Sequence, residues 1–347
     1  MSENIWEVAW SLQEQRVAAV TCTGDGMMVA CGSQVVSFDS LGNVRWRRNL
    51  LFTVYRLEVD DSNVGLLCGQ GFHILRISDG TPIHEGRATT GGFQDLMPRP
   101  GGGWVISDRV GHLHLFDVAG IGIRRLNTGE NRRLVGWLDR EHLLLHNQDG
   151  RIRCLRLVQH DLSRYIDGKN WSWTSRLSNG QMLLQATDGE VWMGQPHPFG
   201  WDALDRVEMV GTEPIASVRS GDGWWLADID GRLLRIPPLV DESEQSAEMR
   251  GGEFIAGNGI DIMVTATQSG LIRWWESAQL SSERRAIIQR LVTEERQRLD
   301  WEYRKNMFQE ARRAEDDGIL SRAIELYQAL GRSEDVRRML QHQSRGD

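Results

Sequence analysis

No hydrophobic run in this 347-residue chain approaches the roughly 20 residues that a membrane-spanning helix needs, so no membrane span is expected. The sequence also does not open with a basic stretch followed by an apolar core. Met1–Trp10 is acidic and strand-like, and export is not expected from it. Cysteine is scarce: Cys22, Cys31, Cys68 and Cys154 are scattered without a Cys-x-x-Cys pair. That spacing argues against a thiolate zinc site and for small apolar residues within strands. Reduced thiols fit a cytoplasmic chain. A basic excess is missing too, since 48 acidic against 40 basic residues leave a net charge of −8. A dedicated nucleic-acid partner is therefore not expected. Lysine is almost absent, with Lys169 and Lys305 alone beside many arginines. Finally, proline stops at Pro238 and glycine is missing from 271 to 317, so the chain changes character in that region.

What is abundant before the change is glycine at a regular spacing. Gly32, Gly71, Gly111, Gly150, Gly189, Gly231 and Gly270 follow one another at intervals of 39 to 42 residues. An apolar strand-like run precedes each one, such as Leu143-Leu144-Leu145, and another follows, such as Ile152-Arg153-Cys154-Leu155. Asp149-Gly150, Asp188-Gly189 and Asp230-Gly231 mark hairpins, because such turns need a residue at positive φ. A third run lies upstream in each unit, as at Tyr55-Arg56-Leu57-Glu58-Val59. A more polar fourth run lies downstream, as at Val44-Arg45-Trp46-Arg47-Arg48. Four strands per unit and seven units predict a mainly β fold, a seven-bladed β-propeller over residues 1–277.

The seventh unit turns helical after its third strand, at about Ser277. The N-terminus holds a spare strand, Ile5-Trp6-Glu7-Val8-Ala9-Trp10, which echoes Val44-Arg45-Trp46. Residues near 4–12 are therefore expected to complete the last blade and remove two open sheet edges.

The stretch Phe38-Asp39-Ser40-Leu41-Gly42-Asn43-Val44-Arg45-Trp46 resembles the blade motif of quinoprotein-type (PQQ-like) propellers. There an Asp-x-x-Gly turn precedes a strand bearing a tryptophan, and Asp117-Val118-Ala119-Gly120 is a partial second match. The endings Phe38-Asp39, Phe116-Asp117 and Trp275-Glu276 resemble a weakened WD40 signature. One unit alone carries the full quinoprotein motif, and none carries the Gly-His with Trp-Asp pair. The resemblance implies the architecture and carries no activity with it.

Residues 278–347 are expected to form a helical tail. Ser281-Ser282-Glu283 is the expected start of a long helix over about 282–315, some 50 Å at about 1.5 Å per residue. Ile287, Ile288, Leu291, Val292, Leu299, Met307 and Phe308 recur at helical spacing among charged positions. Met307, Ala311, Ala314, Gly318, Leu320, Ala323 and Tyr327 resemble the packing positions of a tetratricopeptide hairpin, with a further helix to about residue 343. Helical repeats need about three units to bury a continuous core, so one unit leaves an apolar face in need of a neighbour.

Chemistry is hard to find. His112 with His114, and His142 with His146, lack the converging third and fourth ligands of a zinc site and read as ordinary strand histidines. Asp149, Asp188 and Asp230 read as turn residues, and Trp104, Trp137, Trp192, Trp224, Trp225, Trp274 and Trp275 as packing between blades. No catalytic residue, metal ligand or cofactor is assigned. The sequence predicts a non-enzymatic interaction scaffold or adaptor subunit of a larger complex. It would bind protein partners through a propeller face and the helical tail, with self-association through the tail as one form. Ile288, Leu291, Leu299, Phe308, Leu326 and Tyr327 are the expected partner-binding or packing residues. The alternative is a ligand-binding protein or quinoprotein-like oxidoreductase using the axial channel.

Overall fold

Apolar residues alternate or run through short segments between left-handed glycines, and each such segment becomes one strand of an antiparallel sheet. The computed structural model describes residues 6–69, 71–87, 91–130, 132–157, 161–166, 169–207, 212–220, 223–236 and 252–343. Seven sheets follow in chain order. Their innermost strands are Val17–Thr23, Val54–Val59, Phe93–Pro98, Arg132–Trp137, Trp171–Thr174, Pro214–Ser220 and Phe254–Gly257. Six sheets have four strands, and the sixth has three among the described residues. This is a seven-bladed β-propeller. Its outermost strands are the polar ones; Val44–Asn49, at the rim of blade one, alternates between exposed and half-buried residues.

The last blade is completed from the other end of the chain. Strand Trp6–Gln13 pairs antiparallel with Leu271–Ser277, from Trp6 opposite Ser277 to Gln13 opposite Leu271, with an irregularity between Val8 and Trp10. Ile5, expected in this strand, lies outside the described residues. The strand also ties the seventh blade to the first. Trp10 stacks on Trp274 with ring centroids 5.6 Å apart, and its indole N–H donates to Ser40 O at 2.9 Å.

The glycine series divides into two roles. At Gly32, Gly111, Gly150, Gly189, Gly231 and Gly270 φ lies between 62° and 102°. In blade four Asn147 N–H donates to Arg151 O at 2.8 Å and Gly150 N–H to Asn147 O at 3.2 Å. Ala186, Asp228 and Thr267 repeat this pattern, a three-residue loop whose glycine alone holds the left-handed position. Gly71 differs, because it opens the strand Gly71–Arg76. A Cβ there would lie 2.0 Å from Gly86 O, so glycine is required by the close approach of the rim strand.

The core is a series of wedges between neighbouring sheets. Val17, Val29 and Phe38 of blade one pack with Val264 and Trp274 of blade seven, and Met28 and Val35 of blade one with Leu57 and Leu66 of blade two. Trp104, Trp224, Trp225, Trp274 and Trp275 are buried in these wedges, while Trp137 and Trp192 are half-buried. Rings at the rims stitch successive blades. Trp10, Trp46 and His84 lie against Gly42, Gly80 and Gly120 of the next blade, where an added Cβ would come within 3.2 Å of each ring. Trp46 Nε1 donates to Ile77 O at 2.8 Å across the same seam.

All four cysteines are buried thiols outside any disulfide. Burial pushes the Cys22 thiol up to about 12 and that of Cys31 up to about 11, the latter with help from Glu14. The thiolate is the reactive form, so native protein should resist alkylation at mildly alkaline pH and all four thiols should react in denaturant. A fast-reacting thiol in the native protein, measured by mass spectrometry, would contradict this placement.

The chain divides into two compact units, Met1–Ala278 and Gln279–Asp347. In the helical region, α1 spans Ala278–Asp316, α2 Leu320–Ala329 and α3 Ser333–Gln343. The long helix begins four residues before Ser282, so the serine pair does not cap it. Ser281 lies inside the first turns, where Arg285 Nη2 reaches its hydroxyl at 3.1 Å. Gly318 and Gly331, with φ of 76° and 72°, end the helices that precede them.

Candidate functional site

The inner strands leave a channel along the propeller axis. Two cavities of about 470 and 410 Å3 lie in it, and both are bordered by Tyr55, Arg56, Arg176 and Ser217. These shared residues form a waist, which an ion-pair network crosses. Arg176 Nη2 lies 2.7 Å from Asp95 Oδ1 and 3.1 Å from Glu58 Oε1. Arg56 Nη2 lies 3.0 Å from Glu58 Oε1, and its Nε lies 3.2 Å from Asp95 Oδ1. Arg176 also donates to the carbonyls of Leu134 and Leu96. Asp95 accepts from the N–H groups of Leu134 and Leu96, each at 2.9 Å.

The network joins the inner strands of blades two, three and four to the segment that follows Trp171–Thr174 in blade five. Burial works to raise the Asp95 carboxyl. Arg176, Arg56 and the two N–H donors outweigh it and hold the group below the usual carboxylate range. A carboxylate held in this way is a poor general base near neutral pH.

A second polar cluster centres on Asp108, which was not among the residues expected from the sequence. Asp108 is fully buried, and its Oδ2 lies 3.1 Å from His112 Nδ1 and 2.9 Å from His114 Nε2. Its Oδ1 accepts from the N–H groups of Val110 and His112. Burial tends to raise this carboxyl, while the hydrogen bonds from His114, His112 and Val110 carry it below its ordinary value. The available signal was an aspartate three residues before a left-handed glycine, as in Asp108-x-x-Gly111, Asp39-x-x-Gly42 and Asp117-x-x-Gly120. In each, the side chain caps the turn by accepting N–H groups two and four residues ahead.

His142 faces Asp139 and His146 faces Trp171 O, so the two histidine pairs do not converge. No group of three or more His, Cys, Asp or Glu among the described residues is arranged to hold a metal ion. Asp149, Asp188 and Asp230 are exposed turn residues; Asp149 and Asp188 accept N–H groups two residues ahead.

The six expected contact residues of the tail fall into two groups. Phe308, Leu326 and Tyr327 come together in a core with Met307, Ala311, Ala314, Ala323 and Met339. Tyr327 is fully buried, and its hydroxyl donates to Glu315 Oε2 at 2.9 Å. Ile288, Leu291 and Leu299 remain exposed on α1, by 43%, 57% and 54%. Ile287, Val292, Trp301 and Tyr303 are exposed beside them. Arg290–Glu294, Arg298–Glu295 and Arg304–Asp300 ion pairs brace this stretch along its own surface. No helix among the described residues is long and apolar enough to cross a membrane.

The fold defines the chain as a seven-bladed β-propeller with a helical extension. Among solved structures it is similar to the crystal structure of the β-propeller domain of Cps50 (Swd1) from Myceliophteria thermophila. The TM-score is 0.64 at 13% sequence identity, over 78% of this chain and 99% of that one. At that identity the likeness is one of fold. No protein-family model matches the chain, and no curated protein matches it.

Proposed function

We propose that this protein is a non-enzymatic interaction scaffold, a cytoplasmic subunit that binds protein partners through a propeller face and through α1. The observation that carries this reading is the apolar surface left open on α1. Ile288, Leu291 and Leu299 stand exposed together with Ile287, Val292, Trp301 and Tyr303 on a helix about 58 Å long at about 1.5 Å per residue. Ile288, Val292, Leu299 and Tyr303 follow one another at steps of four, seven and four residues along one helix face, and apolar side chains clustered in this way mark interaction sites on soluble proteins. The channel chemistry agrees as well, since Glu58 and Asp95 are both engaged by guanidinium groups and Asp95 is held below the usual carboxylate range.

The double substitution Leu291→Asp with Leu299→Asp should abolish assembly and leave the propeller's melting transition unchanged. Size-exclusion chromatography with light scattering, on the complex isolated from its native cell, makes the comparison. If the variant elutes in the same complex as the wild type, α1 is not the contact.

A further inference from the structure

We propose that the larger half of the axial channel binds an anionic group, a carboxylate or a phosphate, with Arg219 as the principal cation. The channel is basic within an acidic chain. Among the described residues Arg56, Arg133, Arg176 and Arg219 line the two cavities against Glu58 and Asp95, while the chain as a whole carries −8. The positive lining is therefore local and not a product of composition.

Both carboxylates are consumed at the waist, where Arg56 and Arg176 hold them. Arg219 is left with neutral partners. Its Nη1 donates to Gln181 Oε1 at 3.0 Å and to Ser178 O at 3.4 Å, and its buried Nε meets no partner among the described residues. The hydroxyl of Ser217, two residues back on the same inner strand and bordering the same cavity, is buried and unpartnered there as well.

A guanidinium half-withdrawn from water without a counter-charge is costly, and an anion removes that cost. The planar fork of arginine matches the paired oxygens of a carboxylate or phosphate. With Arg56 and Arg176 balanced by Glu58 and Asp95, Arg219 leaves a net positive charge in the confined space, which raises the local concentration of anions. A cavity of about 470 Å3 is large enough for a small polyanion or for an acidic side chain entering from one end.

The test is calorimetric titration of the full chain, at low ionic strength, with citrate as the carboxylate probe and pyrophosphate as the phosphate probe. Saturable single-site binding of one or both is expected. Arg219→Gln should weaken it at least about tenfold, Arg219→Lys less, and Arg290→Gln on α1 not at all. Binding of citrate alone would identify the ligand as a carboxylate, and of pyrophosphate alone as a phosphate. Absence of saturable binding to either probe would overturn the proposal, as would undiminished binding to Arg219→Gln. A melting curve of each variant, taken alongside, confirms that the fold is intact.

Discussion

Removal of residues 1–13 should lower the melting temperature by about 10 °C or more and leave a protein prone to aggregate. The strand Trp6–Gln13 is the fourth strand of the seventh blade, although it lies at the opposite end of the sequence. Its loss exposes the ladder groups of Leu271–Ser277, which become an open edge able to pair with another chain. It also strips side chains from both neighbouring blades. Trp6 sits edge-on to Trp225 of blade six at 5.9 Å, and Trp10, which covers Trp274 within its own blade, donates to Ser40 O of blade one. A further ion pair to blade one would go if the cut extended to Glu14, whose Oε1 lies 2.6 Å from Arg47 Nη2. Burying a tryptophan or leucine is worth about 1.5–3 kcal/mol each, so the summed loss exceeds the effect of almost any point substitution. In a protein of this size each kcal/mol moves the midpoint by about 2–4 °C. Differential scanning calorimetry of the truncated chain is decisive, since an unchanged midpoint would mean that the ring is held by the other seams alone.

Asp95→Ala is the point substitution with the largest expected effect, about 3–5 kcal/mol of destabilisation. The carboxylate is 10% exposed and meets two guanidinium groups and two backbone N–H donors contributed by four different blades. Its removal leaves Arg56 and Arg176 to share Glu58 as their one carboxylate at the channel waist and two buried N–H groups unpaired. The pH dependence follows from the direction of the shift. Asp95 titrates below its unfolded value, so its contribution is complete above about pH 4 and fades as the pH falls through the lower folded value. Asp95→Asn should therefore cost more at pH 7 than at pH 3. Urea denaturation at the two pH values measures the difference. Equal losses at both would show that the charge on Asp95 contributes little.

Blade number, strand order within a blade and closure by the N-terminus were all legible in the sequence. They depend on signals that repeat over a few residues. Alternation of apolar side chains has a period of two, and a left-handed glycine can be placed by its neighbours. Gly71 shows where this breaks down. It keeps the spacing of the series but is required by the approach of Gly86 O, a contact made only once the rim strand is in place. The start of α1 failed for a related reason. Ser281-Ser282-Glu283 has the composition of a cap, yet the helix already begins at Ala278, directly after the strand Leu271–Ser277, which places the serines inside its first turns.

The sequence by itself determined the repeating unit, because each hairpin is specified by residues that are neighbours along the chain. It also determined which end of the chain seals the ring, since one blade lacked a strand that the other terminus could supply. Only the tertiary structure decided what the ring encloses. Arg176 reaches Glu58 across 118 positions and Asp95 across 81. No local period records such a meeting, which arises because seven inner strands are brought round a common axis. The same holds for the tail: Tyr327 and Leu299 look alike as apolar residues at helical spacing. Folding of α2 and α3 against the end of α1 buries the first and leaves the second open to solvent.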